Sequence, residues 1–124
     1  MDLTPRIPEG RQVINAYGEG GFRIAGTRYE GSVIVFPART LAWPVAAPEE
    51  VSAAALAPVQ EAEPAVELLL LGLGPQIRRV PDTIRAAMKA HGVVVEGLDT
   101  GAAARTYNVL LGESRRVAAA LIAV

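Results

Sequence analysis

The stretch that decides the fold is VVVEGLDTGAAARTYNVLLGESRRVAAALIAV, residues 93–124. It opens with a β-branched run at 93–96, continues with a helical segment at 101–111, and closes with an almost wholly apolar run at 116–124. An apolar run without alternation is typical of a strand whose two faces are both covered. The stretch therefore predicts a strand, a helix and a second strand buried inside a sheet.

The residues before this stretch extend the pattern to βαβαβ. An apolar strand is predicted at 66–71 and a helix at 82–91. One face of that helix is predicted from Ile84, Ala87, Met88 and His91. Arg85 and Lys89 should point outward, and Gly92 is a natural C-terminal stop. We therefore expect parallel strands with helices between them, and the crossovers should be right-handed.

The first 45 residues have a different pattern, in which β-branched or aromatic runs alternate with Gly-rich breaks. This pattern predicts an antiparallel meander with strands at 13–17, 22–25, 28–36 and 41–43. Residues 46–65 predict a connector with a short helix, because Pro58 would interrupt a longer one. We therefore predict a single α/β domain over residues 1–124. Its three layers (β+β/α) combine the meander (1–45) with a βαβαβ core (66–124) whose sheet is parallel or mixed.

Composition excludes several classes of function. The formal net charge of −1 offers no global positive field for nucleic acid or an anionic membrane. The chain has no cysteine, which excludes disulfides and thiolate chemistry. Its longest apolar runs fall short of the roughly 18 residues that a membrane span needs. We expect a soluble cytoplasmic protein without a transmembrane segment and without affinity for nucleic acid.

The sequence GLG at 72–74 has two interpretations. With Glu96 after the next strand, it resembles a dinucleotide site in which glycines admit a pyrophosphate and an acid binds ribose. However, Ile77 stands where the third glycine belongs, and the next helix begins too far downstream to meet the phosphate. A tight exit from the strand is the interpretation that we favour. Arg78 and Arg79 could neutralise an anion in this loop, although adjacent pairs are usually solvated.

Residues for common catalytic and metal chemistry are scarce. His91 is the only histidine, and its place at a predicted helix C-terminus favours a capping role. Without cysteine or a second histidine, a transition-metal site lacks its usual ligands. None of the serines lies in a nucleophile elbow. We predict no catalytic residue, no cofactor and no metal.

A dense polar cluster lies on the second core helix. Asp99 or Thr100 is expected to cap this helix, whose apolar face would be formed by Ala103, Tyr107, Leu110 and Leu111. Arg105, Thr106 and Asn108 are polar residues in mid-helix, which indicates that they have tertiary partners. The acids within reach of Arg105 are Glu96, Asp99 and Glu113. The cluster is either a network that locks helix to strand or a ligand cleft at the strand ends. The candidate site comprises Gly72, Gly74, Glu96, Asp99, Thr100, Arg105, Thr106, Asn108 and Glu113.

The run VEGLDTGAAARTYNVLLGESRRVAAALI (95–122) closely resembles the C-terminal signature of a known family of small domains. That family includes mitochondrial complex I assembly factor 3 and many uncharacterised bacterial and archaeal proteins. LLLLGLGPQIRRVPDTIRAAMKAHGVVVE (68–96) resembles its middle section, and GGFRIAGTRYEGSVIVFP (20–37) its opening strands. The specific part is DT-x-AA-x-RTYN-x-L. Two departures are Gly97-Leu98, where the family more often has Val-Met, and Leu73, where it often has Thr.

The resemblance implies a three-layer α/β fold and little chemistry. It implies a non-catalytic, protein-binding assembly or accessory factor, with respiratory-complex subunits or assembly factors as partners and membrane contact only through them. The alternative is a small-ligand or nucleotide binder, or an enzyme, that uses the cleft near 72–74 and 99–108.

Overall fold

The computed structural model describes residues 10–124, which form two β-sheets and three α-helices. The smaller sheet is antiparallel and contains β1 (Ile14–Gly18), β2 (Gly21–Ile24) and β3 (Thr27–Glu30). The larger sheet contains β4 (Val33–Phe36), β5 (Arg39–Ala42), β6 (Leu68–Gly72), β7 (Val94–Leu98) and β8 (Val117–Leu121). The helices are α1 (Ala57–Gln60), α2 (Asp82–Lys89) and α3 (Thr100–Gly112).

The larger sheet is mixed, with the strand order β5-β4-β8-β6-β7. β6 pairs in parallel with both β7 and β8, whereas β4 pairs antiparallel with β5 and β8. The helix α3 connects the edge strand β7 to the central strand β8 and packs on β6 and β8. The prediction of an α/β domain with an N-terminal antiparallel region and a mixed C-terminal sheet is confirmed.

The two faces of the larger sheet are covered by different elements. One face packs against α2 and the connector, through residues that include Leu69, Leu71, Ile84, Met88, Leu56 and Trp43. The other packs against α3 and the smaller sheet, through residues that include Leu70, Ala119, Tyr107, Ile14 and Phe22. All five residues of β8 are buried, which explains why its sequence is apolar without alternation.

The connector contains two short 3-10 helices, Pro48–Glu50 and Ala54–Leu56, followed by α1. Pro58 lies in the first turn of α1, where its missing N–H costs no helical hydrogen bond. Trp43 anchors this segment, because its Nε1 donates to the carbonyl of Ala55 at 2.9 Å. None of the helices within residues 10–124 combines the length and apolarity of a membrane span.

Two sequence predictions are wrong, one about the length of a strand and one about the buried face of a helix. Residues 28–36 form two strands in different sheets, because Gly31 has a φ of +81° that turns the chain between β3 and β4. The helix predicted at 82–91 ends at Lys89, and His91 is exposed rather than on the face with Ile84 and Met88. The other bounds differ from prediction by a few residues, as is usual at helix and strand ends. The part of the predicted 1–45 region before residue 10 lies outside the described residues.

Candidate functional site

Thr100 joins three elements at the start of α3. Its Oγ1 donates to the carbonyl of Ile122 at 2.7 Å and accepts from the N–H of Gly74 at 3.0 Å. The backbone N–H of Thr100 also donates to the carbonyl of Gly74 at 2.8 Å. The side chain is fully buried, so these bonds satisfy groups that water does not reach. The exit of β6, the end of β8 and the first turn of α3 thus meet at one hydroxyl.

Asp99 is the residue that caps α3. Its Oδ1 accepts a hydrogen bond from the N–H of Ala102 at 2.9 Å, while its own backbone is extended. This is the usual arrangement of an N-cap, and the negative charge is favourable at the positive end of the helix. The cap begins α3 at Thr100 and directs that side chain into the core.

Asn108 connects α3 to the smaller sheet through a pair of hydrogen bonds with one residue. Its Nδ2 donates to the carbonyl of Ile14 at 2.8 Å, and its Oδ1 accepts from the N–H of Ile14 at 2.9 Å. The side chain is buried, and the amide binds the backbone of β1 as an antiparallel strand would. This pairing positions β1 along α3.

Tyr107 and Arg105 make two further contacts from α3 towards the same sheet. The Oη of Tyr107 donates to the carbonyl of Gln12 at 3.0 Å, and burial raises the pKa of Tyr107 above its usual value. An Nη of Arg105 donates to the Oη of Tyr17 at 3.0 Å. Close approach is possible here because Gly101 has no side chain: a Cβ at Gly101 would lie 2.5 Å from that Oη.

The remaining candidate residues do not join these contacts. Glu96 is exposed on β7, Glu113 is exposed after the end of α3, and Thr106 is half-buried on α3. Among the ion pairs within residues 10–124, none joins Arg105 to Glu96, Asp99 or Glu113. The structure therefore brings together Gly74 with Thr100, and Asn108 with β1. Among the described residues, it does not bring Glu96, Asp99 or Glu113 into an ion pair with Arg105.

The two glycines of the 72–74 segment lie beneath α3. Gly72 is buried so closely that a Cβ there would lie 3.0 Å from the Cα of Thr100 and 2.9 Å from a side-chain carbon of Leu121. Gly74 has a φ of +101°, in the region that favours glycine. Both positions need glycine for packing or backbone geometry. These contacts account for the glycines without a ligand.

A cavity of about 430 Å³ lies beside the exit of β6, on the face opposite α3. Its floor includes Leu71 and Leu73, and Arg78 and Arg79 stand at its edge. Arg78 is 3.7 Å from a carboxylate oxygen of Glu49, and Arg79 is 3.4 Å from one of Asp82. No residue of the candidate site lines this cavity on the part of the chain that the structure describes.

A second cavity, of about 270 Å³, was not anticipated from the sequence. It lies where β4 ends and where β6 and β8 begin, and four arginines line it: Arg11, Arg39, Arg115 and Arg116. They come from distant parts of the chain and meet only because β4 and β8 are antiparallel neighbours. The sequence shows that Arg115 and Arg116 are adjacent, but it does not show that Arg11 and Arg39 lie near them, because that depends on strand pairing.

Groups of side chains with the spacing of a metal site are absent from residues 10–124. Every buried side-chain nitrogen or oxygen of these residues has a hydrogen-bond partner. The polar side chains Thr100 and Asn108 of α3 therefore serve to hydrogen-bond backbone groups of neighbouring elements.

Comparison with known proteins places these features in a family. Residues 14–122 match the family described as "Protein of unknown function (DUF498/DUF598)". An uncharacterised protein of Rhodobacter capsulatus is 37% identical over 122 residues, which cover 97% of this chain and 93% of that protein. NADH dehydrogenase [ubiquinone] 1 alpha subcomplex assembly factor 3 of Danio rerio is 36% identical over 110 residues, covering 89% of this chain. The chain spans 63% of that assembly factor's length.

Solved structures have the same fold. The crystal structure of an outer membrane protein from Bartonella henselae is 38% identical and covers 94% of this chain and 98% of that chain, with a TM-score of 0.86. The solution structure of a Mth938-like domain from Bordetella pertussis is 30% identical, covers 98% and 92% of the two chains, and has a TM-score of 0.81. These similarities support a single α/β domain.

Proposed function

We propose that this chain, which belongs to the DUF498/DUF598 family, is a non-catalytic protein-binding factor that assists the assembly of a respiratory complex. Its partners would be subunits of that complex or other assembly factors, and contact with a membrane would come through them. We place it in the cytoplasm. With a net charge of −1, it should have no general affinity for nucleic acid.

The relatives support the assembly role. Assembly factors of vertebrates and Drosophila melanogaster are 30% to 36% identical to the chain. The matched region includes nearly all of the described domain, since the Danio rerio protein matches 89% of the chain. A role in assembly is therefore the function with the most direct support, while the activity of the longer relatives comes to this chain only as a proposal.

The observation that carries the non-catalytic part is the hydrogen bonding of Thr100 and Asn108. Both side chains are buried, and their polar atoms bind backbone groups of other elements: Gly74 and Ile122 for Thr100, and Ile14 for Asn108. A reacting side chain must have access to its substrate. These two polar groups are instead engaged within the fold, which favours the locking network over the ligand cleft.

Gene deletion with complementation tests the proposal. Deletion should lower the amount of assembled respiratory NADH dehydrogenase on native gels, and a tagged wild-type chain should restore it and co-purify with subunits of that complex. Glu96→Gln and Glu113→Gln serve as matched variants, because both acids belong to the candidate site yet are exposed. Both should restore assembly. Unchanged assembly after deletion would contradict the proposal. A stably folded Glu96→Gln chain that still co-purifies with the subunits but does not restore assembly would favour catalysis.

A second candidate function is the binding of a small anionic metabolite in the cavity beside Arg78 and Arg79. Its support is the volume of about 430 Å³ at the carboxyl end of a parallel strand, where α/β proteins commonly bind ligands. A panel of nucleotides and acidic metabolites tests it by thermal melting. A ligand at 100 times its Kd should add about 2.7 kcal/mol to the stability of the wild type and nothing to Arg78→Gln/Arg79→Gln.

A further inference from the structure

The cavity of about 270 Å³ combines an apolar floor with a basic rim, and the two parts differ in exposure. Phe36, Val66 and Val117 form the floor and are each at most 5% exposed. The rim carries the four arginines named above, and we call the whole feature the arginine pocket. A side chain entering the pocket would meet apolar carbon below and guanidinium groups around it.

The charge of the arginine pocket contrasts with that of the chain. The protein has 12 basic and 13 acidic residues, yet the described residues of this pocket include four arginines and one acid, Glu63. Glu67, beside the pocket, lies 3.4 Å from both Arg115 and Arg116. The Arg115 hydrogen bond is the main reason why the pKa of Glu67 is lowered. One carboxylate cannot neutralise two guanidinium groups, so the rim keeps an excess of positive charge.

The arginine side chains of the rim are restricted by packing and by ion pairs. The guanidinium of Arg39 stacks over the ring of Phe36 at 4.8 Å from its centroid, which restricts the long side chain. The ion pairs with Glu67 restrict the side chains of Arg115 and Arg116 in a similar way. Groups that are ordered before binding lose less entropy when a partner arrives, so the arrangement favours recognition.

We propose that the arginine pocket binds an acidic peptide segment of a partner protein, with one apolar side chain inserted between flanking carboxylates. Guanidinium groups pair with carboxylates in a bidentate geometry, which fits the rim. The volume is below the range of about 300–1,000 Å³ typical of small-molecule sites, which suits a single side chain. This inference rests on the proposed protein-binding function and names the surface that performs it.

Two other polyanions fit the pocket less well. Peripheral membrane binding uses apolar side chains that protrude into the lipid, whereas Phe36 and Val117 are recessed. Binding of single-stranded nucleic acid uses aromatic faces that stand open to a whole base, whereas the aromatic ring that lines this pocket, Phe36, is only 5% exposed. A peptide can supply both the carboxylates and the narrow apolar group.

Fluorescence anisotropy with a defined peptide tests the inference. The probe is a fluorescein-labelled peptide of alternating Asp and Glu around a central Leu, and its controls replace the acids with amides or the Leu with Ser. Wild type should bind the probe, and Arg39→Gln/Arg116→Gln should bind it at least about tenfold more weakly. The matched variant Arg23→Gln/Lys89→Gln removes the same charge at two exposed positions that line neither cavity, and it should bind as wild type does. Thermal melting confirms that both variants are folded.

Several results would overturn the inference. Among them are no binding by wild type, equal binding by Arg39→Gln/Arg116→Gln, and equal binding of the Leu-to-Ser peptide. Tighter binding to phosphatidylglycerol vesicles or to DNA than to the probe would assign the rim to another polyanion, and loss of probe binding on dimer formation would assign it to a second copy. If wild type fails with the probe but restores assembly in the deletion strain, the proposed function stands and only this surface is wrong.

Discussion

Asn108 shows how one side chain can take the place of a strand. Its amide has a donor and an acceptor at the spacing of a peptide group, and both bind the backbone of Ile14. A neighbouring strand would satisfy those two groups in a larger sheet. Without Asn108, the N–H and carbonyl of a fully buried residue would face the side of a helix.

Replacing Asn108 with Ala should destabilise the domain by about 1 to 3 kcal/mol, because it leaves buried backbone groups without partners. Urea unfolding measures the change. Val109→Ala is the matched control, since Val109 is the next residue on α3 and is 60% exposed. It should change stability by no more than about 0.5 kcal/mol. An Asn108→Ala chain as stable as wild type would contradict the locking role and return attention to a ligand.

Thr100 allows a similar comparison with a subtler change. Thr100→Val keeps the shape but removes the hydroxyl, which leaves the carbonyl of Ile122 and the N–H of Gly74 unpaired. We expect a loss of about 1 to 3 kcal/mol. Thr100→Ser keeps the hydroxyl and should lose less, roughly the 1 kcal/mol of one buried methyl group. The opposite order in urea unfolding would show that packing of the methyl matters more than the hydrogen bonds.

Tyr107 should give the domain a stability that depends on alkaline pH. Burial raises the pKa of Tyr107, and the charge of Arg11 only partly opposes this effect. Above pH about 10, where a tyrosine in the unfolded chain ionises, the folded state still holds its proton. The stability from the neutral phenol is complete below that pH and decreases above it, by up to about 1.4 kcal/mol per pH unit. The free energy of unfolding of Tyr107→Phe should therefore decrease less than that of wild type as the pH is raised above about 10. Equal decreases in the two proteins would show that Tyr107 is not the titrating group.

The helix α3 lies between two sheets, and glycines make that position possible. Gly72 lies under its first turn, and Gly101 faces Tyr17 of β1. A side chain at either position would push the helix away from a sheet. The two hydrogen-bonding residues at 100 and 108 can then reach opposite neighbours. The glycines and the polar residues are thus parts of one arrangement.

Gly74 tests the geometry of the loop that leaves β6. Its φ of +101° is unfavourable for any residue with a Cβ, although a Cβ would contact nothing within 4 Å. Gly74→Ala should therefore cost about 1 to 3 kcal/mol through backbone strain alone. Gly112→Ala is the matched control, because Gly112 ends α3 without a positive φ and a Cβ there also has open space. It should leave stability unchanged or raise it by up to about 1 kcal/mol.

The order and type of the elements were predictable from local pattern, and their partners were not. β6 and β8 are apolar because both of their faces are buried, so the sequence of each strand indicates its place in the sheet. The break at Gly31 was missed because a glycine inside a β-branched run fits one long strand as well as two.

The candidate site was predictable only in part, for a similar reason. The polar residues on α3 indicated that tertiary partners exist, and Asp99 had the residue type and place of a helix cap. Ile14, however, is 94 positions from Asn108, and a backbone group carries no sequence signal. The acids expected around Arg105 were nearer in sequence, but the hydrogen bond described above joins Arg105 to Tyr17. The arginine pocket likewise depends on pairing between β4 and β8.

For the domain as a whole, the two covered faces of the larger sheet differ in how they are joined to it. On the face towards α2, the helix and the connector pack on the larger sheet through one continuous apolar cluster. The other face carries the smaller sheet, which is fixed by side chains of α3, including Asn108 and Arg105, by one backbone hydrogen bond from Gly20 to Val124, and by apolar residues such as Phe22. Regions with fewer links to the core commonly open before the domain unfolds. We expect β2 and β3 to open with β1 at a lower free energy than the strands β6 and β8.

Native-state hydrogen exchange tests this order of opening with two variants. Asn108→Ala removes a link that is broken when the smaller sheet opens, so it should lower the opening free energy of β2 and β3 amides as well as that of global unfolding. Met88→Ala acts on the opposite face, where the fully buried side chain packs in the other core cluster. It should lower global stability by about 2 to 5 kcal/mol, as seen in β6 and β8 amides. The β2 and β3 amides should keep their wild-type exchange for as long as their own opening remains the easier route. If Met88→Ala accelerates exchange in β2 and β3 from the start, the domain opens as one cooperative unit and the separate status of the smaller sheet is wrong.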